Sequence, residues 1–582
     1  MEGLEVTVLL GLAVLVGTAL APRLRVATPV VLVVIGLLLG FVPALREIQL
    51  PPETVLLLFL PVMLFWESLT TSIRAIRRSL RYIVPMSTLL VVASAVAVAW
   101  IATLFGMPWS TALLLGAAVA PPDATAVAAL GRLLPEKMFM KLKAESLTND
   151  GTALVLYAIA LSVALGDTVT PWSITGTVLL SYLGGAAAGI AVAAVAAAFL
   201  RRAHRTIVIN VTLLLIPFTA FLVAEFLHAS GVLAVVFAGL IIAWMLPRIT
   251  TAASRRQSSV AWPFGVYLLN GALFVLIGLE VQYVIHDIPG RLIGLLLAVT
   301  VAAWAVLLVV RYLFQLVFAP FSRPPGAPLF GRHRARVVNT LAGFRGAVSL
   351  AIALSVPAAV TGAGDLSGRD AIVFVTAGVI LLSLLVQGPL LQVALRWARL
   401  PADASAEDEY ELAQRTISGA ALAALDDLAV EHGVSDEVRD RARREGYERL
   451  ELANARAYAR QHVDEAADAA APVAPPATSF EASGPVFAVP DPVPSPSGSP
   501  SPPGGVPALQ MIAESDDIDL TQRSPLRRYE EASRLKLAIL DREREVLLRM
   551  RREGTIDDLV VRRIERHLDL EEVRVRGIDQ DD

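Results

Sequence analysis

The residues of this chain that could do chemistry gather in two short stretches, Pro121-Pro122-Asp123-Ala124-Thr125 and Glu145-Ser146-Leu147-Thr148-Asn149-Asp150-Gly151. Both stand in long apolar surroundings, 111–130 and 145–165, where a carboxylate is costly and is kept for function. On a helix, residues four apart share a face, so Ser146 and Asp150 form one polar stripe while Glu145 and Asn149 form a neighbouring one. Asp150 and Ser146 thus offer an anionic and a neutral oxygen on adjacent turns, the ligand type that a hard monovalent cation takes. Burial disfavours the charged form of a lone carboxylate. Asp150 can therefore bind either a proton or a cation, and competition between the two is the kernel of an exchange mechanism.

The elements that must position these groups follow from the neighbouring residues. Two prolines cannot both sit inside an unbroken helix, because each removes a backbone donor and clashes with the preceding turn. The helix is expected to break beside Asp123, and irregular backbone at membrane depth survives only where it is buried in protein or lines a watery cavity. Arg345, in Leu341-Ala342-Gly343-Phe344-Arg345-Gly346, cannot shed its proton and needs a fixed anionic partner. Glu145 is the expected partner, with Gly343 and Gly346 permitting close backbone approach or a second break. Asp123 would then face the positive ends of half-helices and Arg345 the negative ends. Glu67, in Leu64-Phe65-Trp66-Glu67-Ser68, either reaches the same site from a third helix or snorkels toward the basic group that starts at Arg74.

The chain as a whole is built to sit in lipid. Of its 582 residues 55% are hydrophobic and mean hydropathy is +0.62, far above the level of soluble domains. Segments near 20 residues long, enough to cross a bilayer, number about thirteen. They fall at 4–22, 28–44, 53–72, 82–104, 111–131, 145–166, 174–199, 205–228, 231–247, 259–284, 291–318, 334–360 and 371–397. Lys and Arg concentrate in the loops after odd-numbered segments, from Arg23 and Arg25 through Arg74–Arg81, Lys137–Lys143 and Arg201–Arg205 to Arg332–Arg336. Positive loops stay cytoplasmic, so the N-terminus is expected outside and the C-terminus inside. Met1 to Ala21 lacks a basic start and reads as a first span, not a signal peptide.

The fold class expected is an all-α polytopic membrane domain over 1–400 with interrupted helices, followed by a helical cytoplasmic tail. In that tail, 401–466 is a charged helical segment, 467–523 a disordered Pro/Ser-rich linker, and 524–582 a second helical segment interrupted at Gly554. A small regulatory or oligomerising module, with a regulatory partner, is the expected role. The chain has no cysteine, which excludes thiolate metal sites. Neither a nucleophile–base pair nor a phosphate loop appears, so no enzyme activity, no cofactor and no nucleic-acid partner are expected.

Pro-Pro-Asp-Ala-Thr-Ala-Val, Glu-Ser-Leu-Thr-Asn-Asp-Gly-Thr-Ala-Leu, the run from Ala224 to Leu240, and Gly-Phe-Arg-Gly-Ala-Val-Ser-Leu together resemble the bacterial sodium/proton antiporters of the NhaP type, relatives of the animal sodium/proton exchangers. The resemblance runs from the first span to about Leu400. It implies about thirteen helices in two inverted six-helix repeats, with the fifth and twelfth spans as the interrupted crossing pair. It implies that Asp150 binds Na+, with Li+ or K+ as alternatives, in competition with H+, that Ser146 assists, and that Asp123 sits at the crossing. It maps a structural ion pair onto Glu145 and Arg345. Asn149, where electrogenic relatives carry a second Asp, implies electroneutral exchange of one cation for one proton. A homodimer in the bacterial plasma membrane, an elevator-like alternation, and a role in intracellular pH and sodium homeostasis are implied as well. Two departures stand out: Pro122 replaces the threonine usual before the crossing aspartate, and Glu67 falls one residue after the register of the usual third-span acid. Two other readings are open, an organic-anion transporter on the same scaffold and a membrane ion sensor signalling through its tail.

Overall fold

The computed structural model describes residues 2–24, 26–42, 52–124, 134–166, 170–318, 332–357, 360, 368–399, 405–469 and 525–576, all of the regular elements among them helical. The chain divides into two units, Met1–Tyr410 together with Met550–Asp582, and Glu411–Arg549. The first begins with α1 (Glu2–Leu24), α2 (Thr28–Leu39), α3 (Pro52–Thr70), α4 (Ile73–Ser87), α5 (Leu89–Leu104) and α6 (Trp109–Val119). It continues with α7 (Glu136–Ala164), α8 (Pro171–Leu179), α9 (Gly185–Leu200), α10 (Thr206–Phe226), α11 (Gly231–Ile249), α12 (Ala252–Asp287) and α13 (Gly290–Phe318). Then come α14 (Arg332–Leu341), α15 (Ala347–Leu354), α16 (Arg369–Leu382) and α17 (Gly388–Ala398). The second unit is built from the remainder of α18 (Ser405–Ala423), α19 (Leu425–Glu431), α20 (Asp436–Ala469) and α21 (Pro525–Glu553); α22 (Asp558–Arg576) belongs to the first unit.

Among the described residues, nine helical stretches are long and apolar enough to cross a bilayer, and α2, α6 and residues 57–70 of α3 are shorter apolar helices. Helices cover the described parts of most of the expected segments, with boundaries moved by local chemistry. The fourth starts at Ile73 instead of 82, because a basic amphipathic turn carrying Arg74, Arg77 and Arg78 precedes the apolar part. Ser72 caps it, its hydroxyl accepting from the Ala75 N–H at 3.0 Å. Thr88 interrupts it just after Pro85.

Small residues let helix backbones meet, as membrane packing requires where no hydrophobic drive separates helix from lipid. Gly36 on α2 and Gly278 on α12 lie against each other's backbones, so a methyl group at either position would enter the facing chain. Gly185 and Gly189 of α9 likewise abut Ser230 and Ala234 at the start of α11. The Gly and Ala run at 184–198 is therefore a packing seam.

The chain breaks where the prolines and glycines require it. Helix α6 stops at Val119, immediately before Ala120-Pro121-Pro122, and 343–346 is non-helical between α14 and α15, with Gly346 in extended backbone. The continuation of the fifth segment, 125–133, lies outside the described residues, as do 470–524, which contain nearly all of the expected linker.

The tail divides differently from the expected boundaries. The segment 524–582 is not one module: α21 serves the second unit as far as Arg549, whereas 550–576 packs with the membrane helices. The reason lies in the apolar stripe Val560, Val561, Ile564, Leu568, which is almost fully buried in the first unit. The second unit has its own small core of Leu425, Ala429, Val438 and Leu535.

Candidate functional site

The two chain breaks meet. The Asp123 N–H donates to the Phe344 carbonyl oxygen at 2.8 Å, joining the irregular stretch after α6 to the irregular stretch before α15. Helix α7 runs beside this crossing and is bonded to it twice: the Ala124 N–H donates to Ser146 Oγ at 3.1 Å, and Asn149 Nδ2 donates to the Pro122 carbonyl at 2.9 Å. Backbone groups that the prolines left without helical partners are thereby satisfied from α7, as irregular backbone in an apolar interior demands.

Ser146 and Asp150 face this crossing from one stripe of α7, both buried, Asp150 at 4% exposure. Asp123 and Glu67 are its closest charged company, within electrostatic reach. Of the two environments open to Glu67 from sequence, the structure has the buried one: Glu67 is 8% exposed and neighbours Asp123 and Lys143. Trp66, one residue earlier, turns away to stack on Trp262 with ring centroids 6.1 Å apart. Three carboxylates thus converge at the crossing, too many like charges for all to remain ionised without a cation or a proton among them. The arrangement suits reversible capture of one small cation by oxygen ligands, with a proton as the alternative occupant. Asn149 adds no charge; its amide is committed to the Pro122 carbonyl.

The expected pairing of Glu145 with Arg345 is not what the structure contains. Glu145 forms a bidentate pair with Arg311 of α13, Nη1 to Oε1 at 2.5 Å and Nη2 to Oε2 at 3.1 Å, with both side chains essentially buried. Arg311 Nε donates to the Asn339 carbonyl at 3.1 Å, and Asn339 Nδ2 in turn donates to Tyr82 Oη and Gln315 Oε1. Arg345 instead donates through Nε to the Val119 carbonyl at 2.7 Å and through Nη1 to the Gly343 carbonyl at 2.5 Å. Its guanidinium caps the carbonyl end of α6, where the helix dipole is negative. The physical reason is geometric. A planar fork fits a carboxylate approached end-on, and α13 supplies that approach, whereas Arg345 lies in non-helical chain and reaches the broken end of α6. Arg311 was visible in the sequence as a guanidinium deep inside the apolar segment 291–318, twenty residues past Arg291 at its start, a position that calls for a buried partner.

The last membrane segment completes the crossing. Its π-helical residues Ser383–Gln387 bring Gln387 Nε2 to the Leu341 carbonyl at 2.6 Å, satisfying the broken end of α14, while Trp304 Nε1 donates to Gln387 Oε1 at 3.3 Å.

Gly346 is needed for close approach: a Cβ there would collide with the Asp123 carboxyl. Gly346→Ala is expected to displace Asp123 or part the two breaks, an overpacking cost of about 1–3 kcal/mol. Thermal unfolding in detergent should fall and exchange slow together; an alanine variant with native melting and native rate would show that the approach is not required.

Comparison with known proteins agrees with this geometry. The family model for the sodium/hydrogen exchanger transmembrane domain matches residues 10–397. An uncharacterised Na+/H+ exchanger of Mycobacterium tuberculosis is 36% identical over 98% of this chain and 96% of its own length, so the likeness extends through the tail. The Na+/H+ antiporter ApNhaP of Aphanothece halophytica is 30% identical over 68% of this chain and 74% of its own. In fold, the chain is similar to the sodium proton antiporter MjNhaP1 of Methanocaldococcus jannaschii, with a TM-score of 0.51 at 19% identity, covering 68% of this chain and 100% of that one. With the paired chain breaks, the buried acids on α7 and the family match over most of its length, this multi-pass membrane protein belongs to the sodium/hydrogen exchanger family of cation/proton antiporters.

Proposed function

We propose that this antiporter exchanges Na+ for H+, one for one, with both ions competing for Asp150. The observation that carries the proposal is the convergence of Asp150 and Ser146 on the paired breaks, beside Asp123 and Glu67. A cation and a proton neutralise the same buried carboxylate, so loading one ion expels the other. Ser146 Oγ already accepts from Ala124 and retains a lone pair for the cation. A single aspartate in the α7 register, with the amide of Asn149 beside it, supports electroneutral stoichiometry. Arg311 and Arg345 are engaged by Glu145 and by carbonyl oxygens, which weighs against an organic anion as substrate.

The wider proposal is a domain of thirteen spans in two inverted repeats, working as a homodimer in a bacterial plasma membrane by elevator-like movement of the crossing helices. The basic loops after odd-numbered segments support an external N-terminus and a cytoplasmic tail. The protein would serve intracellular pH and sodium homeostasis without chemically transforming its substrates.

The test is dissipation of a pH gradient in proteoliposomes by Na+, Li+ or K+ with the membrane voltage clamped by an ionophore. Exchange by Na+ that is unaffected by the clamp is the expected result. A rate that follows the clamped voltage would refute one-for-one stoichiometry, and a response to K+ alone would change the substrate.

A further inference from the structure

Helix α22 lies across one face of the membrane unit, and the residues that hold it there are unusually committed for a tail. Arg255, at the start of α12, grips Asp569 bidentately, Nη2 to Oδ1 at 2.5 Å and Nε to Oδ2 at 2.8 Å, with exposures of only 11% and 5%. At the other end, Asp558 accepts from Ser72 Oγ and from the Arg74 N–H, both at 3.2 Å, and pairs with Arg551 at 2.7 Å. Burial pushes the Asp558 carboxyl up, but the Arg551 guanidinium and the Arg74 N–H hold it below the ordinary carboxylate range, so it stays charged. Arg74 also donates to the Ile556 carbonyl. Buried ion pairs cost desolvation and are recovered only with good geometry on both sides, so this is a built joint.

What the joint holds in place is Arg562. Its Nη1 donates to the Leu69 carbonyl, two residues beyond Glu67 at the end of α3, while its Nη2 is buried without a hydrogen-bond partner. Next toward the site is Lys143, whose Nζ donates to Thr70 Oγ1 at 2.5 Å and which interacts electrostatically with both Arg562 and Glu67. Glu67 is followed by Asp123 and Asp150. A file of charge therefore leads from α22 to the ion site, and its outermost member is a cation supplied by the tail.

We propose that α22 is an internal plug, with Arg562 as a tethered cation that bars the approach to the Glu67–Asp123–Asp150 cluster until the joints at Asp558 and Asp569 open. The plug bears on transport through the antiport reading of that cluster. Between Leu69, Leu246, Arg551, Arg562 and Glu565 the contact leaves a cavity of about 30 Å³, room for roughly one water molecule, too little for a cation with its hydration shell. A tethered guanidinium also repels an arriving cation over distances at which protein interiors screen weakly.

The chain has no native cysteine, so Thr70→Cys gives a single thiol behind the plug, to be labelled in vesicles by a cationic, membrane-impermeant methanethiosulfonate from the face on which α22 lies. Labelling should be slow in the otherwise native full-length chain and accelerate on the order of tenfold in Arg562→Ala and in Asp569→Asn, while Arg562→Lys, which keeps the charge, stays slow. In chains without the cysteine, Arg562→Ala and Asp569→Asn should raise exchange at subsaturating Na+ several-fold. Labelling that neither variant accelerates would overturn the plug, as would accelerated labelling with exchange unchanged. Absence of exchange in every form, native included, would instead defeat the antiport reading; labelling would still decide whether α22 covers the mouth.

Discussion

Asp150→Asn is expected to reduce cation-driven proton exchange to the level of protein-free vesicles, with the protein reaching the membrane in normal amount. The substitution keeps the shape of the side chain and removes its negative charge. An amide offers a cation one neutral oxygen in place of an anionic pair, and it neither takes up nor releases a proton near neutral pH. Both halves of the exchange are lost at one atom group. The fold does not depend on that charge, because the nearest charged groups, Asp123 and Glu67, are also acids. Removing one of three like charges from a buried cluster relieves repulsion, so the variant's melting temperature in sodium-free detergent should equal or exceed that of the native chain. Native protein should gain further thermal stability as Na+ is added, since a ligand that binds only the folded state stabilises it by mass action. The variant should show no such gain. Undiminished exchange in Asp150→Asn, or a sodium-dependent rise in its melting temperature, would remove Asp150 from the centre of the mechanism.

The polar stripe on α7 was legible because its logic is local. Ser146 and Asp150 are four residues apart on one helix, and the period of the α-helix alone puts them on one face. The break before Asp123 was legible for a similar reason, since Pro121 and Pro122 forbid a continuous helix wherever the chain goes next. Gly343 and Gly346 suggested a second break, and 343–346 is non-helical, but nothing in their spacing reveals that Asp123 would donate to Phe344. That bond joins residues more than two hundred positions apart and is decided by how the helices cross.

Partner choice among buried charges was the part that sequence concealed. Glu145 had two guanidiniums at membrane depth to choose from, and composition ranks neither. Proximity to glycines drew attention to Arg345, yet a residue in irregular chain at a helix end finds carbonyl oxygens before it finds a distant carboxylate. The division of the tail was hidden in the same manner. The stripe Val560, Val561, Ile564, Leu568 announces an amphipathic helix, but which surface buries it depends on Arg255 and Ser72, more than three hundred residues upstream.

The corrected pairing carries the other large prediction, a ranking of two arginine variants. Arg311→Ala strips Glu145 of both of its charged hydrogen bonds inside a nearly inaccessible pocket. An unpaired buried carboxylate costs about 3–5 kcal/mol, so this variant should fail to accumulate or should melt well below the native chain. Arg345→Ala leaves the Val119 and Gly343 carbonyls without a donor, a penalty of about 1–3 kcal/mol that leaves a protein able to assemble. Had Glu145 been held by Arg345, the order would be reversed. The pairing makes a further demand: joint replacement, Glu145→Gln with Arg311→Met, should recover much of the stability lost in Arg311→Ala, because apolar or neutral groups of similar volume replace a buried pair at little cost. Fluorescence-detected size-exclusion profiles and thermal melts of the two single variants and the double variant read all three outcomes. Arg345→Ala proving the more damaging, or no recovery in the double variant, would show that Glu145 is not Arg311's essential partner.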